Sequence, residues 1–362
     1  MNAIGVITMA GDAHSRGKAF GAAQASHLRA FLFDWLEALR ATGIEDPYRY
    51  VIGMLGATHF IQAIKAHASE QLEEVRGIAD GARLSAELLL ASQLLDEEWA
   101  YRPTSFRSGE SLQKCSSAAF RSSAGITWIG QNMDLGGYTN GHQIALRIAR
   151  SSQGPGMLIF TVGSMIALMG VNTSGVGICV NSLPQLPSAH VGLPVAFMIR
   201  KLLEARSAAE AERSLHTLPH ATGQHYLIAD ASEICSLEAS PAGVRKCRML
   251  DPLCSIHTNH PLAGGAVAAK SAQYLANTIA RLKSLQTRLQ DGERDLDAIK
   301  AALSSHDNVE HPVCRPLARG GSAMFTTGSM ISQIGTGPTV QSWMSPGPPC
   351  LHGYQQVCVP DL

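Results

Sequence analysis

The chain has 362 residues, which suits two domains of ordinary size or one large enzyme core. Charged residues make up only 16% of it, and 29 basic against 29 acidic side chains leave no formal net charge. A nucleic-acid partner is therefore not expected, because phosphate binding needs a basic surface. A hydrophobic content of 45% excludes a disordered chain.

The N-terminus lacks the basic start and the continuous apolar run of a signal peptide. The eight cysteines form no Cys-x-x-Cys pair, so neither a structural zinc site nor a disulfide framework is indicated. We therefore expect reduced thiols and a cytoplasmic protein.

The first hundred residues carry the spacing of amphipathic helices. Apolar side chains recur every three to four residues over 17–40 and again over 71–93. Gly77 and Gly81 predict either breaks or a close crossing of helices in the second segment. A polar segment rich in turn formers, 102–111, follows.

The middle of the chain, 151–199, contains no Asp, Glu, Lys or Arg. Its most apolar part, 157–171, is shorter than the about 20 residues of a membrane-spanning helix, so no membrane contact is expected. We interpret it as buried strands separated by turns, at 156–162, 165–169 and 176–180.

The remaining pattern alternates between helical and extended segments. Helices are predicted at 195–205, 208–218, 271–290 and 296–303, a hairpin at 226–238, and further strands around 322–340. Runs of helices and runs of strands, instead of strict alternation, predict an α+β layered architecture.

The most informative segment begins directly after the polar linker, at Lys114 and Cys115. Small residues follow the thiol, and a turn at 122–125 leads into a second strand that ends at Asp134. The resulting hairpin brings Asn132 and Asp134 back beside Cys115. A lone cysteine is usually inert packing, but a thiol, an amide and a carboxylate at one strand end indicate a reactive site.

These residues resemble the penicillin acyltransferase-like (acyl-coenzyme A:isopenicillin N acyltransferase) family of N-terminal-nucleophile cysteine hydrolases. That family has a Cys followed by small residues and then a Gly-Gln-Asn-aromatic-Asp motif, matched here by Gly130–Asp134. Segments 74–82, 170–183, 192–200 and 257–260 also match, in the family's order. The resemblance implies an αββα sandwich of the N-terminal-nucleophile (Ntn) hydrolase type.

The resemblance also implies self-cleavage between Lys114 and Cys115. The products would be a helical N-terminal segment, residues 1–114, and a catalytic part, residues 115–362, which together form one core. The freed α-amino group has an ordinary pKa of ~8, close to the ~8.5 of a thiol, and can therefore act as the general base for its own side chain.

By the same resemblance, Asp134 would stabilise the α-ammonium group and Asn259 would donate its side-chain amide to the oxyanion. Asn181 is a second helper. Neither a metal nor a cofactor is implied. The candidates for substrate contact are Ser117, Asn132, Met133, Tyr138 and Ser322.

Two positions depart from the family pattern. Lys114 stands where a Gly often precedes the nucleophile, and Met133 replaces the aromatic residue of the motif. The serine and arginine that some members use near the C-terminus have Ser322 and Arg319 as candidates here.

Histidine-containing clusters are given structural roles. The spacing of His257 and His260 does not suit a metal pair, and the polar residues of 306–311 are interpreted as a loop. The seven cysteines other than Cys115 are interpreted as packing.

The sequence thus predicts a self-processing cysteine amidohydrolase or acyltransferase that forms a Cys115 thioester with a small N-acyl or amide substrate. Its partners would be that acyl donor and, for transfer, an amine acceptor, and a homo-oligomer is compatible with the sequence. One alternative is an uncleaved small-molecule-binding relative in which Cys115 only packs. Another is a thiol hydrolase without self-cleavage that pairs Cys115 with His142 or His257.

Overall fold

Two β-sheets lie between outer layers of helices, in an α/β/β/α arrangement that confirms the predicted α+β sandwich. The computed structural model describes residues 3–103, 114–151, 154–249, 251–265, 267–290, 293–318, 324–336 and 340–359. No helix in these ranges is both long and apolar enough to cross a membrane.

Within the described range 3–103 the chain forms one strand and seven helices. They are β1 Gly5–Met9, α1 Ala13–Ala23, α2 Ala25–Ala41, α3 Pro47–Ala57, α4 Phe60–His67, α5 Ser69–Ala82, α6 Ala86–Ala91 and α7 Leu95–Tyr101. The predicted helix at 17–40 is two helices separated at Gln24. The predicted helix at 71–93 is interrupted at Arg83, which has a left-handed backbone (φ 54°). Neither β1 nor the helices α3 and α4 were expected.

The glycines of α5 make a close helix crossing, one of the two outcomes expected for them. A Cβ added to Gly77 would lie 2.2 Å from the His14 carbonyl oxygen, and one added to Gly81 would lie 2.0 Å from that of Lys18. Both carbonyls belong to α1. Only glycine, which has a hydrogen atom in place of a side chain, lets the two backbones approach so closely.

The first sheet has eight strands in the order β1-β4-β5-β6-β7-β8-β9-β10. The strands after β1 are β4 Gln143–Ile148, β5 Met157–Val162, β6 Met169–Asn172, β7 Gly177–Ser182, β8 Gln224–Ala229, β9 Ile234–Ser240 and β10 Gly243–Lys246. β1 pairs parallel with β4, so the N-terminal segment supplies an edge strand. The strand predicted at 165–169 is wrong for its first four residues, because β6 begins only at Met169.

The second sheet has six strands in the order β11-β2-β3-β12-β13-β14. They are β2 Lys114–Arg121, β3 Thr127–Leu135, β11 Cys254–His257, β12 Phe325–Ile334, β13 Val340–Ser345 and β14 Gln355–Val357. All described pairings in this sheet are antiparallel. The strands predicted around 322–340 correspond to β12 and the start of β13.

The remaining helices cover the outer faces of the two sheets. They are α8 Val195–Leu202, α9 Ala208–Thr217, α10 Ala272–Gln290, α11 Leu296–Leu303 and the short α12 Pro349–His352. α8 and α9 pack on β7 to β10, whereas α10 and α11 pack on β2, β3, β11 and β12. The predicted helix pairs are therefore confirmed, and each pair covers a different sheet.

A buried ion pair joins two segments that carry the family resemblance. Glu74 of α5 is fully buried and accepts from both Nη atoms of Arg200 of α8, at 2.5 and 2.9 Å. Arg16 of α1 donates to the same carboxylate at 2.5 Å. Burial opposes ionisation of Glu74, but the two arginines outweigh it and lower the pKa of the carboxyl group.

We expect Glu74→Gln to reduce the free energy of unfolding by about 3–5 kcal/mol, because it leaves Arg200 buried without a counter-ion. Since the folded-state pKa of Glu74 is lowered, its contribution is present above the unfolded-state pKa and is lost as the pH falls through the folded-state value. Urea unfolding from neutral to acidic pH measures both effects. Glu73→Gln, at a partly exposed neighbouring position where the carboxylate pairs with Arg76, is the matched control, and an equal loss in both variants would contradict the assignment.

Candidate active site

Cys115 lies near the start of β2, in the interior of the six-stranded sheet. In the β2–β3 register Cys115 is opposite Met133, and Lys114 is opposite Asp134. The predicted hairpin is thus present. Strand alternation, however, places neighbouring side chains on opposite faces of the sheet.

The two faces of this hairpin meet different layers. Gln131 donates to the Val180 carbonyl and accepts from the Val180 amide (2.9 Å), so its face, which it shares with Cys115, Ser117 and Met133, looks towards the eight-stranded sheet. Asn132 is on the other face, where it donates to the carbonyl oxygens of Leu303 and Val313 (2.7 and 3.1 Å). Asn132 therefore binds the segment that includes the end of α11 and lies on the face opposite to the thiol. This differs from the expectation that Asn132 contacts the substrate.

The Cys115 thiol is buried, with 1% of the residue exposed. Burial, with a further contribution from the charge of Asp134, raises its pKa to about 12. Its sulfur lies 3.4 Å from the Met133 sulfur. At neutral pH the thiol of the continuous chain is therefore protonated, and nucleophilic attack requires a base that takes up this proton.

The backbone of Cys115 is held by Asn259 and by Arg281. The Cys115 N–H donates to Asn259 Oδ1 at 2.8 Å. Arg281 donates from Nη2 to the same oxygen at 2.8 Å, and from Nη1 to the Cys115 carbonyl at 2.6 Å and to Ser116 Oγ at 2.9 Å. Three polar groups at the candidate nucleophile, the Cys115 N–H, the Cys115 carbonyl and Ser116 Oγ, are thus tied together by one guanidinium group and one carboxamide.

Sequence reasoning missed Arg281. The residue is fully buried on α10, and burial lowers the pKa of its guanidinium group from the ordinary value. The available signal was its position among Thr278, Leu282 and Leu285 on the inward stripe of the predicted helix, since an arginine is rarely fully buried without a specific partner.

The amide group of Asn259 is oriented differently from the expected oxyanion donor. Its Nδ2 donates to the Ser182 carbonyl at 3.0 Å, while its oxygen faces the Cys115 nitrogen. Its own N–H donates to Thr278 Oγ1 at 2.7 Å. The carboxamide is therefore fixed through both its nitrogen and its oxygen, with the oxygen towards the nucleophile, and the backbone of Asn259 is held by Thr278.

Asn181 offers the amide donor that Asn259 does not. It lies on β7, and its Oδ1 accepts from Ser117 Oγ (2.6 Å) and faces His225 Nδ1 (3.0 Å). Its Nδ2 is buried and has no hydrogen-bond partner within the described ranges. A buried amide with a doubly engaged oxygen and free N–H groups is suited to stabilise negative charge on a ligand oxygen.

His225 belongs to a buried chain of polar side chains that crosses between the sheets. Its Nε2 lies 2.9 Å from Ser236 Oγ, and its ring stacks on His257 with centroids 3.6 Å apart. Burial, and secondly the neighbouring His257, hold the pKa of His225 well below the ordinary value. The neutral ring can therefore donate from Nδ1 to Asn181 while it accepts from Ser236.

His257 has both ring nitrogens engaged. Its Nδ1 lies 2.8 Å from the Thr258 carbonyl, and its Nε2 lies 3.0 Å from Glu238 Oε1. Cys247 lies close enough to His225 and His257 for the three to surround a metal ion, but every ring nitrogen already has a hydrogen-bond partner. A second group with such spacing is His306, Cys314 and Cys350, in which the two sulfurs are 2.8 Å apart.

We expect His225→Leu to lower kcat by up to about 10²-fold with little change in KM, because Asn181 loses the donor that orients its amide. His225→Asn should recover most of the rate, since Asn can place an N–H where Nδ1 stands. Steady-state kinetics with both variants measures the difference. Equal losses in the two would mean that the ring only packs.

Asp134 lies at the end of β3 and is 1% exposed. Its Oδ1 accepts from Thr326 Oγ1 of β12 at 2.7 Å. In the strand register Asp134 is opposite Lys114, the residue whose peptide bond precedes Cys115. This is the place where an α-amino group would be formed by cleavage.

The other candidate residues make contacts away from the Cys115 thiol or lie outside the described residues. Tyr138 lies in a 3₁₀ turn, Gly137–Thr139, and packs near Phe31, with ring centroids 6.3 Å apart. His142 binds Asp34 through Nε2 at 2.8 Å. His260 contacts Thr278 Oγ1 (2.9 Å). Arg319 and Ser322 lie outside the described residues.

The alternative with a Cys/His pair finds no support in these contacts. Both nitrogens of His257 and the Nε2 of His142 point to other partners, as given above. Residues 306–311 form neither a helix nor a strand, as the loop interpretation predicts. Asp307 of this loop forms an ion pair with Arg288 at 2.5 Å.

Comparisons with known proteins identify the family. The family model "Acyl-coenzyme A:6-aminopenicillanic acid acyl-transferase" matches residues 121–329, a range that contains Asp134, Asn181, Asn259 and Arg281 and begins after Cys115. The chain is 26% identical, over 77% of its length and 77% of the relative's, to the acyl-coenzyme A:6-aminopenicillanic-acid-acyltransferase 40 kDa form of Emericella nidulans.

Among solved structures, the chain is similar to an N-acylethanolamine-hydrolyzing acid amidase ortholog from Caenorhabditis elegans, with 16% identity, a TM-score of 0.44 and coverage of 60% of this chain and 92% of the other. It is also similar to a conjugated bile acid hydrolase mutant from Clostridium perfringens, with 11% identity, a TM-score of 0.43 and coverage of 68% and 98%. Because the family model matches more than half of the sequence, the chain belongs to the acyl-coenzyme A:6-aminopenicillanic acid acyl-transferase family.

Proposed function

We propose that the protein is a self-processing cysteine amidohydrolase or acyltransferase that breaks the C–N bond of a small N-acyl or amide substrate through a Cys115 thioester. One observation carries the proposal: the Cys115 thiol stands near the start of an interior strand, with its nitrogen held by Asn259 Oδ1 and its carbonyl by Arg281. After cleavage before Cys115, the same contacts would hold the thiol and the freed α-amino group together.

Processing would begin with attack of Cys115 Sγ on the Lys114 carbonyl carbon. An S–C bond forms, the C–N bond breaks, and the thiol proton passes to the departing nitrogen. Water then hydrolyses the thioester, leaving a carboxylate on Lys114 and a free amine and thiol on Cys115. The fragments are residues 1–114 and 115–362.

In the processed enzyme the α-amino group takes the role of base. It removes the proton from Sγ as the sulfur attacks the substrate carbonyl, and it returns that proton to the leaving amine. Asn259 Oδ1 supports this by accepting a hydrogen bond from the same nitrogen. Asp134 stabilises the amine in its protonated form, since an adjacent carboxylate favours an ammonium group.

Asn181 supplies the hydrogen bond that the tetrahedral intermediate needs. Its oxygen is engaged by Ser117 and His225, so its Nδ2 can donate to the developing oxyanion without reorganising. Water completes hydrolysis by attacking the thioester, whereas an amine would take the acyl group in transfer. Hydrolysis is our first expectation.

Intact-mass analysis and N-terminal sequencing of the purified protein test the proposal. Two polypeptides, one of which starts at Cys115, support it. Turnover of a panel of N-acyl amines, with and without hydroxylamine as a competing acceptor, then separates hydrolysis from transfer. Fully active material that contains only the uncut chain would contradict the scheme, and an uncut, inactive protein would favour the small-molecule-binding alternative.

A further inference from the structure

Two acidic residues of α7 lie next to the site without a role in the chemistry described above. The Asp96 carboxylate accepts hydrogen bonds from the side chains of Ser182 and Gln224. The Ser182 carbonyl in turn accepts from Asn259, which holds the Cys115 nitrogen. Asp96 is thus connected to the nucleophile through two residues, and its charge contributes to the raised pKa of the thiol.

The second acid, Glu97, is 1% exposed and has an unused acceptor. Its Oε1 accepts from the Val195 N–H at 3.0 Å and from Thr222 Oγ1 at 3.2 Å. Its Oε2 is buried and has no hydrogen-bond partner in the described part of the structure. Within those same ranges, neither Asp96 nor Glu97 forms an ion pair.

The neutral side chain of Gln224, next to Asp96, also has an acceptor oxygen without a donor among the described residues. Gln224 is 1% exposed and contacts Asp96 and Thr222 through its amide group, while its Oε1 is buried without a partner in the ranges described. Burial raises the pKa of Asp96 to about 6, and burial together with the charge of Asp96 raises that of Glu97 to about 8. These directions agree with the observation that neither carboxylate has a cationic partner among the described residues to stabilise its charged form.

The chemistry of this cluster selects a particular ligand. Within the described residues, Glu97 Oε2 and Gln224 Oε1 are two oxygen acceptors without donors, and the Asp96 carboxylate lies beside them. Together they are complementary to a primary ammonium group, which has three N–H donors and a positive charge. A quaternary ammonium group has the charge but no donor. Asp96 is half-buried, whereas Glu97 and Gln224 are fully buried.

We propose that the substrate carries a primary ammonium group, which binds between Asp96, Glu97 and Gln224 while the scissile amide lies at Cys115. The inference rests on the proposed function for the identity of the reacting group. It adds a substrate class, amides with a cationic amine on one half. Asp96, Glu97 and Gln224 determine specificity and take no part in bond breaking.

Matched substrates test the inference. In one pair of amides the amine half ends in a primary ammonium group or in a hydroxyl group of similar size, and in a second pair the acyl half differs in the same way. We expect the ammonium member of at least one pair to have a kcat/KM about tenfold or more above its neutral partner. A trimethylammonium analogue should lose this advantage.

Isosteric variants assign the preference to the cluster. Asp96→Asn and Glu97→Gln should each bring the ratio between the ammonium and neutral substrates close to one. Glu87→Gln, which removes an exposed carboxylate of α6, should preserve it. Melting temperatures verify that the variants are folded. A ratio near one in the wild type, or an unchanged ratio in both cluster variants, would overturn the inference.

A binding measurement keeps this test separate from the proposed chemistry. Calorimetric titration of the full-length protein with propylamine at neutral pH should show binding in the wild type and at least about tenfold weaker binding in Asp96→Asn and Glu97→Gln. Binding without turnover of any amide would contradict the proposed function and support the ammonium site. Turnover of neutral amides, with neither amine binding nor a preference for ammonium substrates, would support the proposed function and contradict the ammonium site.

Discussion

Cys115→Ala is expected to give a single uncut chain and to lower turnover by at least ~10³-fold, the scale on which nucleophile removal acts in covalent catalysis. The physical reason is that the same sulfur performs two reactions, attack on the Lys114 carbonyl and attack on the substrate. Intact mass reports the first, and steady-state kinetics with N-acyl amines reports the second.

Cys235→Ala provides the control for Cys115, because it removes another buried thiol that lies on β9 and contacts Glu212. This control should remain processed and active. A Cys115→Ala protein that still appears as two chains, or that keeps the wild-type rate, would show that another group is the nucleophile.

Asn181→Asp is expected to lower kcat by about 10²- to 10³-fold with little effect on KM, the range seen when one oxyanion donor is removed. Asp keeps an oxygen acceptor for Ser117 and His225 but has no Nδ2 donor. Self-cleavage also forms an oxyanion, so the variant can contain less processed enzyme. The measured rate should therefore be divided by the processed fraction, which intact mass gives.

Two further variants separate the donor from added charge and from packing. Asn181→Ala also lacks the donor but adds no charge, so we expect a loss of similar size. Ser117→Ala removes one of the two hydrogen bonds to Asn181 Oδ1 and retains the Nδ2 donor, so its effect should be clearly smaller. A nearly unchanged kcat in Asn181→Ala would exclude Asn181 as the oxyanion donor.

Local patterns predicted the fold to a considerable extent. The inward stripes of α10 and α11, the β8–β9 hairpin and the β2–β3 hairpin depend on spacing of apolar residues and on turn chemistry, which are properties of neighbouring residues. The break at Arg83 and the strand β1 could not be predicted in this way. Arg83 has a left-handed backbone without a glycine, and β1 is extended because it pairs with β4, more than a hundred residues away.

The amino-acid pattern was sufficient to identify the family, the layered architecture and Cys115 as the candidate nucleophile, since short motifs and hydrophobic periodicity are written along the chain. Three-dimensional packing was needed to find Arg281, to turn the oxygen of Asn259 towards Cys115 and to leave the Nδ2 of Asn181 without a partner among the residues that the structure describes. It also joined Asp96, Glu97 and Gln224 in one cluster. Each of these depends on hydrogen bonds or burial between residues far apart in sequence, and no local rule specifies which distant group a buried amide or carboxylate will meet.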